Sequence, residues 1–397
     1  MPFPVSVSNA QFVTPPEVNL TLPINGQTDN LIDPSYTLPY AHEMNVSLEQ
    51  QLGGRQSLTV SYVSAFGRRL LGQVVIPPNK GNPKVLGASG VGDTLNIYGN
   101  YSSSDYNSLQ GKFQRQFSHG FSALATYTWA HSLDDQSTNV NTNLSGSSGI
   151  SLPTAANLAS GLPFVLLRAS SDFDIRQAVG FSIVYDVPTF SQNRFVKAAF
   201  GNWSVDPIYH YQTALPIDII ANATSNIGGL SSVTQRPQLI PGVPVYLSCP
   251  KCPGGEQINT APVSAATAAA AGCAAPTATN AKGAFCTPLP AGTQAVSGNF
   301  GRNVLRAFPL GELDLSLHRD FVFTESIRLR FQGDMFNVFN HPNFGPQGTN
   351  MFTSTFGVAT SMANSSLGAA STSGAGFSPI FNTGGPRNFQ FSLKLYF

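Results

Sequence analysis

The chain has 397 residues, enough for one large barrel or for two or three soluble domains. Charged side chains make up 10% of it, against roughly 25% in ordinary globular chains, and the formal net charge is +1. That balance argues against nucleic acid and against an anionic membrane surface as partners, and something other than charge must keep the surface in its solvent.

Gly 37 and Pro 29 indicate many turns. A mean hydropathy of -0.01, with no apolar run near the roughly eighteen residues a membrane helix needs, argues against helical spans. A β-barrel escapes this test, because every second residue of its strands faces the lumen.

Met1 to Gln11 carries no basic start, apolar segment or small-residue cleavage site of a secretory signal. Residues 1–42, rich in Pro, Asn and Thr, read as loop or as the truncated end of an upstream barrel segment. From residue 43 to 397 the pattern is that of an outer-membrane barrel. Met44, Val46, Leu48 and Leu52 alternate with polar residues, Gly53-Gly54-Arg55 makes a tight turn, and Leu58, Val60 and Tyr62 alternate again on the way back. A second hairpin carries Leu109, Gly111, Phe113 and Phe117, turns at Ser118-His119-Gly120, and returns through Phe121, Ala123, Ala125, Tyr127 and Trp129. A third pair holds Val179, Phe181, Ile183 and Tyr185, then Trp203, Val205, Tyr209 and Tyr211. A fourth carries Leu313, Leu315, Leu317 and Phe321, then Ile327, Leu329, Phe331 and Met335, around Thr324-Glu325. A single strand closes the chain. In it Phe389, Phe391, Leu393, Leu395 and Phe397 alternate with Asn388, Gln390, Ser392, Lys394 and Tyr396.

Long connections, at about 67–105, 132–173, 214–310 and 340–387, alternate with the short ones. Outer-membrane barrels sort their connections this way, with tight periplasmic turns and long outer loops. The predicted fold is therefore all-β: an antiparallel up-and-down transmembrane β-barrel, partial, of about nine to ten strands. Nine is odd and cannot close as a wholly antiparallel barrel, so an ascending strand is expected before Met44. Arg328, Arg330, Gln332 and Asp334 on the face opposite the apolar one call for a watery lumen. Arg115 and Arg319 interrupt apolar faces, and Arg319 lies near a turn, where snorkelling to the interface is cheap. Trp129, Tyr127, Trp203, Tyr209 and Tyr211 read as an aromatic belt rather than a carbohydrate platform.

The last strand resembles the carboxyl-terminal signal of outer-membrane barrels, read by the barrel-assembly machinery, with Phe389, Phe391, Leu393, Leu395, Tyr396 and Phe397 as its residues. Further blocks stand in order along the chain: Ser61-Tyr62-Val63-Ser64-Ala65-Phe66-Gly67-Arg68-Arg69-Leu70, Asp105-Tyr106-Asn107-Ser108-Leu109-Gln110, Tyr127-Thr128-Trp129-Ala130-His131-Ser132-Leu133-Asp134-Asp135, Asp172-Phe173-Asp174-Ile175-Arg176, Gly201-Asn202-Trp203, Gly301-Arg302-Asn303, and Phe336-Asn337-Val338-Phe339-Asn340-His341-Pro342-Asn343-Phe344-Gly345. From about Ala41 onward the set resembles TonB-dependent receptors of the Oar-like type, found in acidobacteria. The resemblance implies an outer-membrane transporter plugged by an amino-terminal domain and energised by an inner-membrane partner. This chain carries no plug, partner-contacting box or carboxypeptidase-regulatory-like domain, and so resembles the carboxyl-terminal part of such a barrel. Its contact with a TonB-type energiser would run through a missing amino-terminal part.

Chemistry is sparse. Cys249-Pro250-Lys251-Cys252, with Cys273 and Cys286, invites a zinc reading, but the second pair is widely spaced in an Ala-rich loop. Two disulfides in an oxidising compartment fit better, with unpaired cysteines and metal as the other readings. His131 with Asp134 and Asp135 imitates a base and its orienting carboxylate, yet no activated nucleophile accompanies it, so strand-end polarity is the plainer reading. Gly87-Ala88-Ser89-Gly90-Val91-Gly92 lacks the partners of a phosphate loop. No catalytic residue, cofactor or metal is expected, and the ligand-binding residues are not legible. The chain reads as a non-enzymatic outer-membrane receptor fragment, with a surface adhesion or structural protein and a small passive porin as alternatives. A soluble sandwich would instead bury Leu393, Leu329 and Phe181 in a dry interior.

Overall fold

The computed structural model describes residues 28–76, 94–135, 137, 168–188, 196, 201–227, 230–252, 255–277, 281–290, 298–363 and 384–397. The start of the chain to residue 27 and the glycine-rich segment Gly87 to Gly92 lie outside the described residues.

Nine strands carry the architecture: β1 (Tyr40–Gln51), β2 (Gln56–Ile76), β3 (Thr94–Ser118), β4 (Phe121–Asp134), β5 (Gln177–Asp186), β6 (Trp203–Gln212), β7 (Leu310–Val322), β8 (Arg328–Phe336) and β9 (Asn388–Tyr396). They pair in chain order, each antiparallel to the next, as an up-and-down meander. Two short strands extend it: Thr28–Ile32 lies parallel to the far end of β3, and Ala169–Ser170 pairs with the end of β4.

The register explains why these segments join. Leu58 faces Phe113, Phe113 faces Ala125, then Phe181, Tyr209 and Leu313 follow across one row. Nearer the turns, Val205 faces Leu317, which faces Gly333 and then Phe391. The rows of the other face are mostly polar: Thr59, Lys112, Thr126, Gly180, His210 and Glu312 in one, Ser204, His318, Gln332 and Ser392 in another, and Gln114, Ser182 and Asp314 with the apolar Leu124 and Ile208 in a third. A slip of one residue at any pair would mix the two faces, so the apolar pattern itself fixes the pairing.

The apolar face is not a packed core. Leu48 is 72% exposed, Phe391 70% and Leu393 65%, while Leu329 and Phe181 are half-buried. A continuous patch of this size has no place in water and requires lipid. On the polar face Arg330 grips Asp320 through two bonds of 2.6 and 2.8 Å, and His318 lies 3.0 Å from Asp206.

Connections sort by end. At one end lie the turns 52–55, 119–120 and 323–327, the β5–β6 connection and the carboxyl terminus; the long connections lie at the other. The β3–β4 turn places His119 at φ 52 and Gly120 at φ 74, the paired positive angles of a two-residue hairpin turn. A Cβ at Gly120 would stand 3.1 Å from the Asp186 carbonyl oxygen. Gly120→Val should therefore cost about 1–2 kcal/mol, read as a lowered urea midpoint in micelles.

β1 and β9 do not pair with each other, and both run toward the turn end. Among the described residues the sheet is open, and antiparallel closure takes an odd number of further strands.

Two differences from the sequence reading stand out. β2 and β3 continue through much of the expected loop at 67–105, from Gly67 facing Ser104 to Ile76 facing Leu95, with register shifts on the way. This ladder needs no apolar alternation, because backbone bonds alone hold it. The connection 214–310 is also more than a loop. Ile217, Ile219, Ile258, Phe285, Phe300 and Leu305 form a buried core with Met351 and Phe356 from the connection after β8. Ile240, Ala268 and Cys286 extend it. The helix Ala265–Ala270 accounts for much of the Ala-rich run. Disulfides join Cys249 to Cys252 and Cys273 to Cys286 within this unit.

Candidate functional site

The apolar face ends abruptly toward the long connections. Tyr62, Leu109 and Trp129 face one another across β2, β3 and β4; one step further on the same face stand Ser64, Asn107 and His131. From Phe121 to Trp129 the strand covers roughly 27 Å at ~3.4 Å per residue. A transmembrane barrel's apolar band is about 25 Å tall. Most of the predicted belt residues divide between its two edges. Tyr127, Trp129 and Tyr211 lie toward the loop end, Trp203 lies at the turn end near Phe321, and Tyr209 falls between the edges, facing Phe181.

The two interrupting arginines also lie at the turn end. Arg319 is 7% exposed, its guanidinium 4.8 Å from the Phe321 ring centre and 5.7 Å from that of Trp203. Arg115 lies 5.0 Å from the Phe121 ring centre. Aromatic faces hold both cations. Phe389, Phe391, Leu393 and Leu395 are exposed on the apolar face of the edge strand β9. Tyr396 points to the opposite face beneath Arg328, and Phe397 is 95% exposed.

Just beyond the loop-end aromatic row, charges separated widely in sequence converge. Arg302, its side chain 1% exposed, donates through Nη2 to the Asp134 carboxylate, and to the Ser170 carbonyl at 3.2 Å. Asn303, at φ 55, donates to the same carbonyl at 2.7 Å and to Asp172 at 2.6 Å. Asp174, also 1% exposed, accepts from the Ser132 backbone N–H at 2.7 Å, Arg176 Nε at 2.9 Å and Arg306 Nη2 at 2.5 Å. Asp105 takes Arg68 at 2.6 Å and Arg168, and Arg168 reaches toward Asp135 at 3.7 Å. Arg68, Asp105, Asp134, Asp135, Asp172, Asp174, Arg176, Arg302 and Asn303 all belong to blocks that the sequence showed only as an ordered series. Folding makes them one clamp that ties three loop bases to β3 and β4.

The sequence's apparent dyad does not form. His131 faces Asn107 on β3, Asp134 binds Arg302, and Asp135, just past the end of β4, accepts from Ser103. His131, just past the apolar band, has its pKa lowered by burial and then by the nearby Arg176 charge. The block from Phe336 to Gly345 caps β8: the Asn337 N–H donates to Asp314 at 2.9 Å, its side chain donates to the His341 and Gly385 carbonyls at 2.8 Å, and Asn343 accepts from the Gly311 N–H at 3.0 Å.

Beside the clamp opens a cleft of about 460 Å³ lined by Arg168, Ser170, Arg176, Arg302, Asn303 and Arg306, among others. Its polar lining is dominated by guanidinium donors, and among the described residues no carboxylate lines it. Among the described residues no group of His, Cys, Asp or Glu is arranged to hold a metal ion.

A family model described as outer membrane beta barrel domain matches residues 1–389. Among curated proteins there is no match. Among solved structures, the outer membrane transporter YddB from Escherichia coli is similar at 12% identity with a TM-score of 0.42, over 94% of this chain and 34% of that one. The copper transporter OprC is similar at 9% identity with a TM-score of 0.32, over 90% and 31%. The chain spans about a third of the length of these two transporters.

Proposed function

Because the chain belongs to the outer membrane beta barrel domain family and its apolar face lies in the lipid of the bacterial outer membrane, we propose that it is the carboxyl-terminal barrel portion of a TonB-dependent receptor of the Oar-like type. Residues 43–397 form the barrel part, with the turn end toward the periplasm and the long connections outside. The outer unit built from 214–310 and 344–363 captures a ligand. Passage is gated by a plug outside this chain and energised by an inner-membrane partner. Phe389, Phe391, Leu393, Leu395, Tyr396 and Phe397 present the assembly machinery with an edge strand.

The observation that carries this reading is the folded, disulfide-stapled unit above the loop end of the sheet. A passive pore gains nothing from such a structure, whereas a receptor needs a rigid surface outside the membrane. The test uses cells producing the whole gene product. Ligand uptake across the outer membrane should stop when the inner-membrane energiser is deleted, while surface binding persists. Steady single-channel conductance of the chain refolded in a bilayer would favour a passive pore. Adhesion to matrix with no energised uptake would favour an attachment role.

A further inference from the structure

We propose that the arginine-lined cleft at the loop end of β4 binds a phosphate group. This goes beyond transport and does not depend on it, since the cleft would bind whether or not the barrel carries anything across.

The cleft holds unused donors. A guanidinium offers five N–H groups in a planar fork. Arg176 spends only Nε on Asp174, its two Nη groups make no hydrogen bond among the described residues, and its side chain is 40% exposed. Arg302 Nε and Nη1 are buried and have no hydrogen-bond partner among the described residues. Asp174, which balances Arg176 and Arg306, is 1% exposed at the side chain against 40% and 29% for the two cations, while Asp105 beside Arg168 is 21% exposed against 28%. Among the described residues the cleft is lined by four arginines and by no carboxylate.

Convergence of four guanidiniums suits a dianion with several oxygens better than a single carboxylate. The anchored carboxylates hold the cations in place before any ligand arrives, so little side-chain ordering remains to oppose binding. Two sources share this chemistry: a soluble phosphate compound, and the phosphate of a lipid headgroup, which the aromatic row one register step away would bring close.

The experiment measures inorganic phosphate binding to the full chain refolded in micelles, by calorimetry. A second arm titrates phosphate into the chain reconstituted in phosphatidylcholine vesicles with or without phosphatidic acid. Saturable binding is expected, weakened about tenfold or more in Arg176→Gln with a urea midpoint no lower than that of Arg176→Lys, and only partly restored by Arg176→Lys, which keeps the charge without the fork. Competition by phosphatidic acid assigns the site to lipid headgroups, and its absence assigns it to soluble phosphates. The proposal is overturned if wild type shows no saturable binding in either arm, if Arg176→Gln binds as wild type does, or if binding falls only together with the unfolding midpoint.

Discussion

Replacing Arg302 with Met should destabilise the folded sheet by about 3–5 kcal/mol, because it leaves a buried carboxylate with its main cation gone. Asp134 is 3% exposed, and after the change its side chain would keep, among the described residues, only the Ser137 hydroxyl at 2.6 Å. The Ser170 carbonyl would lose one of its two donors, which pin the strand Ala169–Ser170 and the loop base carrying Arg302 to the end of β4. Urea unfolding in micelles should show a lower midpoint at unchanged slope. Because Arg302 Nε and Nη1 already lack partners among the described residues, the wild-type pair is imperfectly satisfied. Adding Asp134→Asn to Arg302→Met should therefore recover much of the loss, giving a coupling on the order of 1–3 kcal/mol. A midpoint unmoved by Arg302→Met would show that the clamp holds nothing together.

The second large effect separates adjacent residues on one strand. Phe181 lies at mid-band on the apolar face, its ring stacked on Tyr209 at 5.1 Å between centres; Ser182 points to the polar face. Phe181→Arg should cost about 2–4 kcal/mol in a bilayer, the expense of an arginine near the midplane of a barrel's lipid face. Ser182→Arg should change stability by no more than about 0.5 kcal/mol, as surface substitutions do. The pair is measured by unfolding from vesicles, and equal effects at the two positions would remove the distinction between the faces.

The barrel strands were legible in the sequence because lipid on one side and water on the other impose a period of two that needs no tertiary knowledge. All nine strands, their short turns and the facing of Leu393, Leu329 and Phe181 follow from that period. The unit above the sheet was not legible. Its core residues, such as Ile219, Phe285 and Met351, come from stretches without periodicity and meet only through packing across long separations. The clamp was half visible. Its blocks could be seen as a series, but His131, Asp134 and Asp135 suggested a local dyad, whereas the true partner of Asp134 lies 168 positions away. Charge pairing over such a span leaves no local signature beyond unusually placed Asp and Arg in a chain with little charge. β2 and β3 overran the expected loop because beyond the aromatic row neither face is selected for lipid, and the pattern that marks a strand disappears while its hydrogen bonds continue.

Spin labels placed one at a time along β5 in lipid vesicles test the account most directly, with collisions of oxygen and of a water-soluble nickel complex as the readout. Labels at Val179, Phe181 and Ile183 should favour oxygen, and those at Gly180, Ser182 and Val184 should favour nickel, alternating at every step. Equal access of the nickel complex to both sets, or shielding of the first set from both reagents, would contradict a sheet with lipid on one face and water on the other.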